Sequence, residues 1–223
     1  MALASSTSLG LMKVACGLPR ARFWSAVRSA RRISTPGADL RRRGAHHGAH
    51  PPACRGRPLE PVTRERGAAA VRPNTVAVAV TAADFRMGAF ADLDGLQEAV
   101  GDRLLVSDGI QGLRAVDLDW TLAAARAVGG QKWLRAWWDT EFVALSPRAL
   151  ERLRPLLGGW TGVEGVSRYG GVPHPPLPGA QRLSVTNGSP FASRALATAF
   201  AQVESVGVDV IAVRIADTAG ALI

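Results

Sequence analysis

The chain has 223 residues, 47% of them apolar and 20% charged, with a net charge of +9 and two cysteines. That length and apolar content suit one sizeable core and at most two domains. No apolar run approaches the roughly 18–20 residues that a membrane span requires, and no membrane partner is expected. Cys16 and Cys54 lack the spacing of a disulfide framework or a zinc site, which fits a reducing compartment, and the cytoplasm is the expected location. The charge is local: residues 1–72 hold 14 basic and 3 acidic residues, and the remainder 13 and 15. A basic arm of this kind can hold phosphate backbones. No aromatic–basic interleaving or nucleic-acid motif accompanies it, so nucleic acid is not the expected partner. His46, His47, His50 and His174 lack metal-ligand spacing, and no metal is expected.

Residues 1–20 alternate small polar and apolar residues and predict a loop running into a short helix, Leu9 to Ala15. The acid-free, Ser- and Arg-rich start also matches an organelle transit peptide, a competing reading of this segment. Residues 21–58 are rich in Arg, Gly, Pro and His without periodicity and read as irregular. From about residue 59 the chain reads as folded. Thr75 to Thr81 (TVAVAVT) predicts a buried strand, Asp92 to Val100 an amphipathic helix, and Arg103 to Ser107 the next strand. Trp120 to Val128 leads into Gly129-Gly130, and Phe142 to Leu145 is a further strand. Ser146-Pro147 supplies an N-cap and a first helical proline for a helix to about Leu153. A Gly/Pro-rich loop spans 157–179. An apolar helix follows from Phe191 to Val206, stopped by Gly207, and another runs from Val208 to Ile223. Alternating strands and helices predict an α/β fold with a mostly parallel sheet.

Two segments carry chemistry. Leu104 to Gly112 places Asp108 at a strand end with Gln111 three residues on, and ligands of open α/β sheets sit at such ends. Lys132, twenty-four residues after Asp108, lies in Val128-Gly129-Gly130-Gln131-Lys132-Trp133, at the end of a second strand. Only Lys13 and Lys132 are lysines among 27 basic residues. Lys132 stands out because arginine stays protonated and cannot serve imine chemistry, whereas a desolvated ammonium can lose its proton. Taken singly, Asp108 also reads as a helix cap and Lys132 as a solvated cation over an aromatic face.

Together, in this order and spacing, the two segments resemble the cofactor site of the class V aminotransferase family, fold-type I enzymes that include cysteine desulfurases and isopenicillin-N-epimerase-like proteins. The resemblance continues through 147–157, Gly159-Trp160-Thr161-Gly162 and 178–191. It implies the large domain of a pyridoxal 5′-phosphate (PLP) enzyme, with Lys132 as the aldimine lysine and later the base at the substrate α-carbon. Asp108 would face the pyridine nitrogen and Gln111 the ring oxygen. Gln131 stands where desulfurases carry a histidine near the phosphate. Ser6 and Thr7 resemble the phosphate-cradling loop at a helix N-terminus. Thr186, or Asn187, resembles the residue that reaches the phosphate of a partner subunit. The implied function is transamination, epimerisation or cleavage of an amino-acid substrate, in a homodimer.

The pattern also departs from the family. The resemblance makes 1–20 a partial phosphate-loop segment, 59–223 the large domain with the start of a linker, and the C-terminal small domain largely missing. Asp139 and Glu141 stand where glycines are expected. The sequence RISTPGADLRRR at 32–43 reads, with permitted codons and a frame displaced by one nucleotide, as NIYPWRRLAEA, so 21–58 is read as frameshifted or disordered. Neither Cys16 nor Cys54 sits in a desulfurase motif, which disfavours that sub-class. A non-catalytic, truncated remnant of such an enzyme is the alternative to an active one.

Overall fold

The computed structural model describes residues 1–19, the backbone of 22–25 and 47–49, and residues 60–222. Seven strands form one mixed sheet: β1 (Ala2–Ala4), β2 (Arg22–Ser25), β3 (His47–Ala49), β4 (Thr75–Thr81), β5 (Leu104–Asp108), β6 (Ala125–Val128) and β7 (Glu141–Leu145), in the spatial order β1-β7-β6-β5-β4-β2-β3. The pairs from β6 to β3 are parallel, and β7 is antiparallel to both of its neighbours, β1 and β6. The α/β class and the mostly parallel sheet are therefore as expected. The helices are α1 (Thr7–Gly17), α2 (Arg64–Ala70), α3 (Leu93–Val100), α4 (Pro147–Arg152), α5 (Pro190–Val206) and α6 (Val208–Gly220). Among the described residues no single helix is long and apolar enough to cross a membrane.

The irregular reading of 21–58 needs a correction at two places, because 22–25 and 47–49 are strands. Parallel strands are held by backbone bonds to neighbours distant in sequence, so their side chains need show no alternation. The rest of 21–58, with Cys54, His46 and His50, lies outside the described residues. The predicted stretch from Trp120 to Val128 resolves into a 3-10 turn, Trp120–Leu122, and β6.

Local rules explain the element ends. Asp92 caps α3 by accepting from the Gly95 N–H at 2.9 Å, and Ser146 caps α4 ahead of Pro147. Ser189 caps α5 ahead of Pro190, and Gly207, at φ +91°, ends that helix. The core has two sides. Leu11 and Val14 of α1, with Leu18 just after it, pack with Ala125, Ala127 and Val143 on one face of the sheet. Leu196 and Ala199 of α5 pack with Val128 and Phe142 on the other. Leu93, Leu96 and Val100 of α3 cover Val78, Val80 and Leu105.

Candidate active site at the carboxyl edge of the sheet

The register gathers the sequence-predicted residues at one edge. Thr81 pairs with Asp108 and Asp108 with Ala127, so β4, β5 and β6 end together. Since β7 runs the other way, its first residue, Glu141, lies at the same edge, paired with Ala4 at the end of β1. The turn into α1 and the segment 129–132 therefore leave the same edge of the sheet, on either side of β7.

The N-terminus of α1 is held against that edge. Ser6 is the N-cap, its Oγ accepting from the Leu9 N–H at 3.0 Å. The remaining first-turn N–H groups point outward without helical partners, as at any helix start. Thr7 is buried, and its Oγ1 has no hydrogen-bond partner. A Cβ on Gly129 would come within 2.7 Å of that Oγ1 and would collide with Gln131 Oε1, a second buried oxygen with no partner. Gly129 thus leaves the gap into which Thr7 and Gln131 converge. The orphaned Thr7 hydroxyl at the helix start suits a phosphate, which supplies acceptors for donors and complements the helix dipole, whereas Gln131 could serve one only through its amide nitrogen.

Asp108 is 8% exposed at the end of β5, and its Oδ1 accepts from the Ile110 N–H at 3.1 Å. That bond orders the turn Gly109 to Leu113, on which Gln111 is half-buried. Lys132 is exposed on the turn after β6, with its Nζ 5.9 Å from the centre of the Phe85 ring. Phe85 follows β4, so this contact ties the β4 and β6 ends together across Asp108. Sequence reasoning missed Phe85, and an isolated aromatic after a strand gave no signal. Asp84, beside it, is held below the usual carboxylate range by the hydrogen-bonded Arg86 guanidinium.

Lys132, Asp108, Gln111, Gln131, Ser6 and Thr7 all belong to this edge. Thr186 does not join them. It and Asn187 are exposed on the loop before α5, and among the described residues no hydrogen bond ties Thr186 to the others. No group of three His, Cys, Asp or Glu side chains suited to a metal ion occurs among the described residues.

The segment after Lys132 is strained. Arg135, Trp137 and Asp139 have φ of +52°, +74° and +59°, the left-handed region that favours glycine. The expected glycine at 139 thus corresponds to a real conformational demand that an aspartate now meets. Glu141 departs differently. It sits in a strand and is 1% exposed, and its Oε2 has no hydrogen-bond partner. Burial pushes its carboxyl above the usual range, while its own backbone N–H pulls the other way.

No protein-family model and no curated protein matches the sequence. Solved structures do match. A cysteine desulfurase from Thermococcus onnurineus NA1 superposes with a TM-score of 0.73 at 15% identity, over 93% of this chain and 52% of that one. Pyridoxamine-pyruvate aminotransferase from Mesorhizobium loti gives 0.68 at 16%, over 95% and 54%. Ureidoglycine-glyoxylate aminotransferase from Bacillus subtilis gives 0.71 at 15%, over 95% and 54%. The chain has the fold of these enzymes and spans about half the length of each.

Proposed function

We propose that this chain binds PLP at the carboxyl edge of its sheet and belongs to amino-acid chemistry of the class V aminotransferase kind. One observation carries the reading: strand register brings Asp108, the Lys132 turn and the N-terminus of α1 to one edge, in the order that the sequence motifs require. PLP, when bound, supplies an electron sink for bonds at the α-carbon of an amino acid.

The chain's own residues would divide the work. Thr7, with the first-turn N–H groups of α1 and Gln131, would hold the phosphate. Asp108 would keep a proton on the ring nitrogen from its buried strand end. Lys132 Nζ would hold the group covalently and then move the α-proton of the substrate. Gln111 would donate to the ring oxygen. Thr186, on its exposed loop, would serve the partner copy of a homodimer. Transamination, epimerisation and cleavage all use this set. Sulfur transfer is disfavoured, because Cys16 is buried on α1 and burial pushes its thiol up.

A second reading, a non-catalytic remnant, is favoured by two observations: left-handed Arg135, Trp137 and Asp139 beside the lysine, and a buried carboxyl at the phosphate end. The test separates the two. PLP added to the purified protein is expected to give a visible absorbance band that Lys132→Ala abolishes. A band with turnover of an amino acid supports the enzyme, and a band without turnover supports the remnant. The absence of any Lys132-dependent band rejects cofactor binding.

A further inference from the structure

Glu141 is a buried carboxyl at this edge that the proposed cofactor site does not use. The β6–β7 ladder ends at Val128 opposite Phe142, so the next facing positions are Gly129 and Glu141. Facing residues of an antiparallel pair project to the same side of the sheet. On that side the vacant Cβ position of Gly129 meets Thr7 Oγ1. Two residues along the strand, Val143 projects to the same side and meets Gly10, one helical turn after Thr7. The Glu141 side chain therefore lies beneath the first turn of α1, in the neighbourhood of Thr7 and Gln131. Three buried oxygens there lack partners: Thr7 Oγ1, Gln131 Oε1 and Glu141 Oε2. Of these, Gln131 Oε1 and an ionised Glu141 Oε2 can only accept, whereas Thr7 carries its own O–H, and one proton on the carboxyl supplies a further donor.

We propose that Glu141 couples phosphate binding at the N-terminus of α1 to the uptake of one proton. The inference rests on the proposed use of that helix start as a phosphate cradle. An ionised Glu141 would place a second negative charge in a buried site beside the phosphate, and like charges at such range cannot both persist. A solvent proton passes to Glu141 Oε2 as a phosphate dianion enters, and no other bond forms or breaks. The neutral carboxyl then donates its O–H within the cluster.

The surroundings offer no competing counter-charge. On α1, Lys13 is buried, and its Nζ donates to the Leu183 carbonyl at 2.6 Å, six residues beyond Thr7. Cys16 lies farther along the same helix. On β6, Arg126 is on the opposite face, its guanidinium on the Trp120 carbonyl. The charged side chains of α5, Arg194 and Glu204, belong to that opposite face, and β1 carries no charged side chain. Arg148, Glu151 and Arg152 of α4 follow the far end of β7, and Arg182 is committed to the carbonyls of Gly179 and Pro178. Asp139 is negative and reinforces the neutral form.

The probe is inorganic phosphate, measured by titration calorimetry near pH 8 in buffers of different ionisation enthalpy, which counts protons. The wild-type chain is expected to take up close to one proton per phosphate, with affinity falling about tenfold per pH unit in the alkaline range. Glu141→Gln, neutral and of the same shape, is expected to bind phosphate without proton uptake and at least about tenfold more tightly than wild type one pH unit above the Glu141 midpoint. Glu141→Ala repeats the test should the amide perturb folding, and circular dichroism checks both variants. Equal proton uptake in wild type and Glu141→Gln overturns the inference, as does absence of phosphate binding in both. If the Lys132-dependent PLP band forms while proton coupling is absent, the cofactor reading stands and this inference falls. If coupling is present without that band, the inference stands alone.

Discussion

Gly10 of α1 and Val143 of β7 touch so closely that a Cβ on Gly10 would lie 2.7 Å from Val143 Cγ2. This contact sets how far α1 sinks onto the sheet, and so where its N-terminus meets the carboxyl edge. Gly10→Ala must push the helix away or force Val143 off its rotamer. Overpacking of this kind costs about 1–3 kcal/mol, and urea unfolding is expected to show a loss in that range. Phosphate binding should weaken with it, because the helix start moves.

Gly129→Ala tests the cradle more directly. The new methyl collides with Gln131 and crowds Thr7. Binding of PLP, followed by its visible band, is expected to fall by at least about tenfold, since a misplaced binding group costs that order in affinity or rate. Thermal unfolding should shift by only a few degrees, about 2–4 °C per kcal/mol for a chain of this size. A variant that melts normally and binds normally would contradict the placement of Thr7 and Gln131.

Asp139→Gly should stabilise the protein. Its φ of +59° costs an L-residue roughly 1–2 kcal/mol that glycine avoids, partly offset by the greater freedom of glycine in the unfolded chain. The expected net gain is about 1 kcal/mol, read as a higher melting temperature. Asp139 is exposed, so no packing is lost.

Glu141 also predicts how stability depends on pH without any ligand. Its folded-state pKa is raised, by burial first and by Asp139 in addition. The folded protein therefore holds a proton that the unfolded chain has released. Stability from this group is full below the ordinary glutamate value of about 4.3. It declines as pH rises through the interval up to the folded value, and the loss is complete above it. Melting temperatures of wild type and Glu141→Gln, followed from acid to neutral pH, should separate in that direction, with the glutamine variant the more stable at neutral pH.

The edge was legible in the sequence where chemistry and a chain break coincide. Asp108 closes an apolar run, and Lys132 follows two glycines, so both could be placed after strands before any register was known. Asp139 was legible as an aspartate where the resemblance expects glycine, and its φ is left-handed. Arg135 and Trp137 adopt the same conformation with no such signal. The strands β1, β2 and β3 were hidden because three or four residues held by distant backbone partners leave no periodic trace. Glu141 was visible as a substitution, but its burial depends on pairing with Ala4 and facing Gly129, relations between positions over a hundred residues apart in one case and twelve in the other.

The break at Gly207 has a consequence for how the molecule breathes. The axes of α5 and α6 diverge by 81° there, and α6 buries no residue, whereas α5 buries Ala192, Leu196 and Ala199. Detaching α6 therefore exposes little apolar surface, and its amide protons exchange through local openings that leave the sheet closed. Amides of β4, β5 and β6, whose apolar side chains fill the core, exchange only when the whole domain opens. A deuterium-labelling time course would show one rate regime ending at Val206 and a faster one beginning at Val208.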